Sequence, residues 1–343
     1  MADVSRHAAE LLRASDVVDL HVDSFIATRL FGYDLNRRHA RPGPLRGLFL
    51  GHLDFPRAIE DGLTGAMWSI TTNPFRRAAA RWRVFLRNVD RLRAQLDASG
   101  GRVRLARTFA EYRAARVAGA HACLPAIQGG NALAAAPAGC ASIPENFVTR
   151  VTLVHLTSSL YGATSSPLAL GGRNAPLGEA GRALVAELDR HRVFVDLAHI
   201  GERGFFDAVA AHDRSLPLLV THTGVSGVRP HWRNLSDAQI RAIAETGGTV
   251  GIIFHQGFLA APGGPRDGRM VVDHMEHVIR VAGEDFVSIG SDYDGMITPP
   301  EGLRAAPGYA QLAQWMLDRG WSDARVAKIL GGNFLRCFAA LRP

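Results

Sequence analysis

The chain is almost without lysine. Of its 39 basic residues only Lys328 is not arginine, and the formal net charge is +7. The arginines are spread along alanine-rich stretches. They do not form the clustered, aromatic-interleaved basic surface that nucleic acid requires, and codon bias of a GC-rich genome accounts for them, so no nucleic-acid partner is expected. The densest run, from Arg76-Arg77 to Arg93, reads as the solvated face of a helix. Cysteine is scarce too. Cys123, Cys140 and Cys337 are too few for a disulfide framework and lack zinc-site spacing, so they read as inert thiols. Residues 1–13 lack the apolar stretch of a signal peptide, and no run is long enough to span a bilayer. A cytoplasmic protein with no membrane partner is the expectation. There is no Gly-x-Ser-x-Gly nucleophile elbow, no glycine-rich phosphate loop in a strand–helix context, no repeat and no linker.

What is present is a 47% hydrophobic chain in which short β-branched runs alternate with longer amphipathic ones. Strands are expected at 17–23, 65–71, 122–128, 150–155, 193–199, 217–222, 249–254 and 286–292. Helical patterns such as 181–192, 237–246 and 272–281 lie between them, with apolar residues three and four apart. Eight strands alternating with helices predict a (β/α)8 TIM-type barrel, one domain over 1–343. The long 72–120 connection should carry an extra helix. Two closing helices are expected at 311–319 and 322–341, with a bend at Gly331-Gly332-Asn333.

In such a barrel the chemistry sits at the C-terminal ends of the strands. Reading those ends in order gives His21 and Asp23, then Gln128-Gly129-Gly130, His155, His199, His222, and Asp292 in Ser291-Asp292-Tyr293-Asp294-Gly295. Each histidine alone is most simply a core residue bonded to a carbonyl. Four histidines and two aspartates gathered at successive strand ends point instead to a divalent metal.

The sequence resembles the membrane or renal dipeptidase family of zinc metallopeptidases (family M19), among the amidohydrolase-like barrels. The resemblance runs over nearly the whole chain. It rests on Asp19-Leu20-His21-Val22-Asp23, on Asp54-Phe55-Pro56-Arg57 with Trp68-Ser69, on Asp196-Leu197-Ala198-His199 and on Thr221-His222-Thr223. Arg233-Asn234-Leu235, the Ser291–Gly295 segment and Ile329-Leu330-Gly331-Gly332-Asn333-Phe334 extend it. It implies a metal-dependent hydrolase that cleaves a small dipeptide, with zinc as cofactor and a homodimer as the assembly. It further implies that His21 and Asp23 hold a first zinc and His199 and His222 a second. Asp292 would be the acid/base, His155 would steady the oxyanion, and Arg233 would clamp the substrate carboxylate. These roles are chemically apt: paired metals lower the pKa of a bridging water, and arginine is a bidentate partner for carboxylate.

One position departs from the family pattern. The bridging glutamate is replaced by Gln128. An amide is neutral and offers one good ligand oxygen beside a non-ligating NH2. Two dications about 3.5 Å apart repel by on the order of 20 kcal/mol at an effective dielectric of ~20, so losing a bridging anion is a large change. A carboxylated lysine is no substitute, because Lys328 lies in a C-terminal helix. Three outcomes stay open: a binuclear site with one weak metal, a mononuclear amidohydrolase acting on another small amide, or a binding homologue without turnover.

Other histidines have plainer readings. His274 and His277, with Glu276 between them, are expected on an outer helix in solvent. His52 is assigned to a structural or substrate-rim role, and His231 and His255 to packing near the pocket.

Overall fold

Short β-branched runs that each bury both faces can only close on themselves or be covered by helices. This chain does both. The structure, a computed structural model, describes residues 4–39, 51–167, 174–304 and 308–343. Its strands are β1 (Val18–Val22), β2 (Gly65–Thr71), β3 (Val103–Leu105), β4 (His121–Gln128), β5 (Arg150–Thr152), β6 (Phe194–Asp196), β7 (Leu219–Thr223), β8 (Thr249–Ile252) and β9 (Val287–Ile289). All pairings between them are parallel, in the order β2-β1-β9-β8-β7-β6-β5-β4, and β4 closes the ring on β2. The expected eight-stranded barrel is therefore present.

Strand β3 was not anticipated. It borders only the His121–Cys123 end of β4, on the edge that β5 takes over from Ala126. Three residues with one buried side chain give no periodic signal. The strands are also shorter than the apolar runs that announced them. Leu153, Val154, Leu197 and Ala198 are buried, yet lie beyond the ends of β5 and β6. Burial continues past the ladder, so hydrophobicity alone does not mark where pairing stops.

Residues 72–120 hold the helices Ala78–Ala98 and Phe109–Val117. At the C-terminus come Gly308–Asp318, Asp323–Ala327 and Asn333–Leu341. Instead of the bend expected at Gly331-Gly332-Asn333, the helix continues through a π-turn, Lys328–Gly332. The glycine there serves a close approach: a Cβ on Gly331 would lie 2.5 Å from the Asp16 carbonyl oxygen at the entry to β1. The wall is equally tight at Gly290 and Gly251, where a Cβ would meet the Thr221 oxygen at 1.7 and 2.0 Å. Among the described residues no helix is long and apolar enough to cross a membrane.

His274 and His277 are not in solvent. Both are buried where their helix, Arg269–Ala282, packs inward. His274 accepts from the Val225 amide at 2.9 Å and contacts the Leu259 carbonyl at 3.1 Å, and His277 meets Asp237 at 2.6 Å. An i, i+3 pair can face the barrel as readily as water, and the sequence pattern does not choose between them.

His121, at the base of β4, yields a stability prediction. Its imidazole accepts from the Trp68 indole at 3.0 Å and faces the Leu63 carbonyl at 2.8 Å, and burial pushes its pKa from 6.5 down to about 4. The unfolded chain therefore takes up this proton first as the pH falls. The contribution is complete above about pH 6.5 and is lost progressively down to about pH 4, a change on the order of 3 kcal/mol. The urea midpoint is expected to fall between pH 7 and pH 4.5 in the wild type, and less steeply in His121→Gln. Parallel pH profiles for the two proteins would remove His121 as a cause.

Candidate metal centre and active site

Every residue singled out from the sequence stands at the C-terminal mouth of the barrel. His21 lies in β1 with Asp23 just after it, Gln128 ends β4, and His222 lies in β7. His155, His199 and Asp292 each follow their strand by three residues. His199 and Asp292 have left-handed backbones, with φ of 68° and 61°. Non-glycine residues adopt that region at a cost, and such strain gathers at functional sites.

Buried carboxylates beneath this layer fix its position. Asp19 accepts from the His21 and Ser291 amides at 3.0 and 2.9 Å and from the Tyr309 hydroxyl at 2.5 Å, joining β1 to the strand that carries Asp292. Asp196 accepts from the Ala198 and Thr221 amides, both at 3.0 Å, and from the Thr152 and Thr221 hydroxyls at 2.6 and 2.7 Å. Asp294 accepts from the His52 amide at 2.7 Å, which makes His52 a structural anchor for the β9 loop.

The Asp196–Thr221 bond decides the state of His222. Thr221 gives its one hydroxyl proton to Asp196, so at 2.9 Å from His222 Nδ1 it can only accept. Nδ1 then carries the proton and Nε2 bears the lone pair. His199 Nε2 lies 2.8 Å from it. Burial, reinforced by neighbouring cationic groups, holds both imidazoles well below their usual pKa and therefore neutral. Two neutral nitrogens converging in this way are a suitable donor pair for a divalent ion. His21, His222 and Asp292 also bring one ligand atom each within 4.8 Å of one another.

His21 is held differently. Arg150, wholly buried, donates from Nη2 to His21 Nδ1 at 2.9 Å and to Ser69 Oγ at 3.0 Å, and its Nη1 lies 3.4 Å from Asp196. A guanidinium only donates. His21 Nδ1 is thus an acceptor, and Nε2 carries the hydrogen, facing Asp292 at 3.5 Å and Asp23 at 3.6 Å. Gln128 completes the arrangement. With its NH2 toward Asp23 it donates at 2.8 and 3.1 Å, and its carbonyl accepts from His21 Nε2 at 3.2 Å and His155 Nε2 at 3.3 Å. This network is satisfied by protein groups alone. A metal on His21 Nε2 would need the other tautomer, which sets an N–H against the Arg150 N–H. His199 and His222 are free to take a metal, whereas His21 can join His222 and Asp292 as a ligand only by exchanging tautomers.

Burial raises the Asp292 carboxyl well above the ordinary carboxylate range and the nearby Asp23 adds to the shift, while Arg233 opposes it. Burial brings His155 down to about 4. Arg233 is buried, not a surface arginine. It donates to the His222 carbonyl at 2.7 Å, its Nε has no protein partner, and it lines the cavity above the site. That cavity has a volume of about 820 Å³ and is also bordered by Asp23, Gln128, His155, His199 and Asp292. His255 lines it as well, its Nδ1 accepting from the Thr298 amide at 3.0 Å.

Sequence reasoning missed Arg150 altogether. The available signal was a charged residue inside an apolar strand run, between Val148 and Leu153. Arg76, Arg87 and Arg91 are solvent-exposed, as the sequence indicated, and they also border the cavity.

Comparison with known proteins identifies the family. The family described as membrane dipeptidase (peptidase family M19) matches residues 5–342. Dipeptidase tcpJ of Claviceps purpurea is 29% identical over 83% of this chain and 68% of its own length. A protein of Klebsiella pneumoniae described as an uncharacterized protein in the pqqA 5′ region is 36% identical over 46% of the chain, and the match spans 58% of that relative. A crystal structure of dipeptidase AC, a metallopeptidase of family M19, superposes with a TM-score of 0.83 at 28% identity, covering 96% of this chain and 99% of the other. A metallopeptidase from Rhodobacter sphaeroides, liganded with a phosphinate mimic of the dipeptide L-Ala-D-Ala, gives 0.82 at 27% identity, covering 95% and 99%.

Proposed function

This chain belongs to the membrane dipeptidase family, peptidase family M19, and on that footing we propose that it is a zinc-dependent dipeptidase. The observation that carries the reading is the convergence of the neutral imidazoles of His199 and His222 beneath a cavity that also holds Asp292 and Arg233. His199 and His222 would hold the tighter ion, with Asp292 beside them. The His21–Asp23 position would take an ion weakly, because Arg150 and Gln128 already satisfy it.

Bound there, a divalent ion supplies Lewis-acid polarisation and an activated water. The remaining work falls to the chain. Arg233, which lines the cavity, anchors the substrate's terminal carboxylate in the bidentate manner arginine favours. Asp292, its carboxyl raised by burial, accepts a proton from the attacking water and returns it to the leaving amine. His155 is neutral near pH 7 and can donate from Nε2 to the oxygen that gains charge. The three free, buried cysteines suit a reducing cytoplasm, and a homodimer acting on a small dipeptide completes the reading.

The test is to load the purified protein with zinc and assay a panel of dipeptides beside N-acyl amino acids and cyclic amides. Dipeptide turnover that is lost on chelation and restored by zinc is the expected result. Turnover confined to the other amides, or none at all with zinc bound, would overturn it.

A further inference from the structure

The arginines of this protein are distributed unevenly with respect to carboxylates. Away from the barrel mouth many are paired: Arg107 with Glu111, Arg116 with Asp16, Arg319 with Asp273 and Glu276, and Arg325 with Glu284. At the mouth, Arg29, Arg76, Arg87 and Arg91 all border the same cavity, and none forms an ion pair among the described residues. Arg87 and Arg91 are one turn apart on the helix Ala78–Ala98, an i, i+4 like-charge pair that weakens a helix unless something compensates it. Among the described residues the carboxylates lining the cavity are Asp23 and Asp292, and both belong to the reacting centre.

The wall between these arginines is polar and unsatisfied. Asn88, only 1% exposed, lies on the same helix, and neither its amide oxygen nor its nitrogen has a partner among the described residues. The buried Thr72 hydroxyl is also unpartnered, and both residues line the cavity. Buried polar groups without partners are uncommon and costly, and these lie just beneath the arginine-lined surface of the cavity.

Topology fixes which end of a ligand meets this wall. Arg76, Arg87 and Arg91 follow β2, and Arg233 follows β7. In the ring β2-β1-β9-β8-β7 these strands are four steps apart, on opposite sides of an eight-stranded barrel. A dipeptide anchored at Arg233 by its terminal carboxylate, with its amide over the centre, directs its N-terminal residue toward the arginine wall. Building on the dipeptidase reading, we propose that the preferred substrate has an acidic side chain on its N-terminal residue. Arg76, Arg87 and Arg91 bind that carboxylate.

The experiment compares Glu-Ala with the isosteric Gln-Ala and with Ala-Glu. Affinity is measured by calorimetry on zinc-loaded Asp292→Asn, and kcat/KM on the wild type. Glu-Ala is expected to exceed Gln-Ala by about thirtyfold in both, a preference that shrinks at high salt. In the double variant R87Q/R91Q the two ligands should become equivalent. Equal affinity and equal turnover for Glu-Ala and Gln-Ala would overturn the acidic subsite while leaving the dipeptidase reading in place. A preference for Ala-Glu would overturn the assigned polarity. Selective binding of Glu-Ala with no wild-type turnover would refute the hydrolase reading and support the arginine wall.

Discussion

Replacing Asp292 by asparagine is expected to lower kcat roughly a thousandfold, in line with the loss of a positioned acid/base, while fold and zinc content persist. The substitution suits the site. Asn is isosteric, and it tolerates the left-handed backbone, φ 61°, better than most residues. The side chain has room because residue 295 is glycine: a Cβ there would lie 2.1 Å from Asp292 Oδ1. The Asp292 amide donates to the His21 carbonyl at 3.0 Å, a backbone bond that does not involve the carboxylate, so the loop keeps its position whichever side chain it bears. Steady-state kinetics together with elemental analysis make the test. Unchanged turnover would remove Asp292 from the mechanism. Loss of zinc along with activity would make it a ligand, a role open to it beside His21 and His222.

The second large effect concerns Arg150. Wild-type protein is expected to hold one zinc per chain tightly, and Arg150→Met to gain at least a hundredfold in affinity for a second. A guanidinium about 7 Å from a dication opposes it by on the order of 5 kcal/mol at an effective dielectric of ~20. The same guanidinium keeps His21 in the tautomer whose Nε2 bears hydrogen. The variant should fold, because Asp196 keeps the Thr152 and Thr221 hydroxyls and two backbone amides as donors. Zinc titration monitored by calorimetry reads both affinities. Two ions bound equally tightly by the wild type, with no change in Arg150→Met, would refute this role for Arg150. Restoring the bridging charge with Gln128→Glu in the Arg150→Met background should tighten the second site further.

Much of this molecule was legible in its sequence, for physical reasons. A parallel barrel strand is buried on both faces and gives a continuous apolar run, so all eight barrel strands could be located, and the barrel followed from their alternation with helices. Because catalytic groups stand at strand C-termini, His21, Asp23, Gln128, His155, His199, His222 and Asp292 could be named from position alone, and the structure gathers them at one mouth. The replacement of the bridging glutamate by Gln128 was equally visible, since identity at a position needs no geometry.

The tertiary structure decided what depends on neighbours distant in sequence. The strand β3 came from the exposed edge at the base of β4, a partner that a three-residue segment cannot announce. The burial of His274 and His277 came from the way one helix packs inward. Arg150 became the cation beneath His21 because β5 lies three strands round the ring from β1, 129 positions on in the sequence. Arg76, Arg87 and Arg91 read as a solvated helix face because periodicity shows which residues share a face but not what that face borders. Only closure of the ring, setting β2 opposite β7, turned that face toward the cavity. The sequence by itself determined the barrel and the roster of its site. The fold determined the charge, the tautomer and the orientation of that site, because those are properties of contacts between residues far apart in the chain.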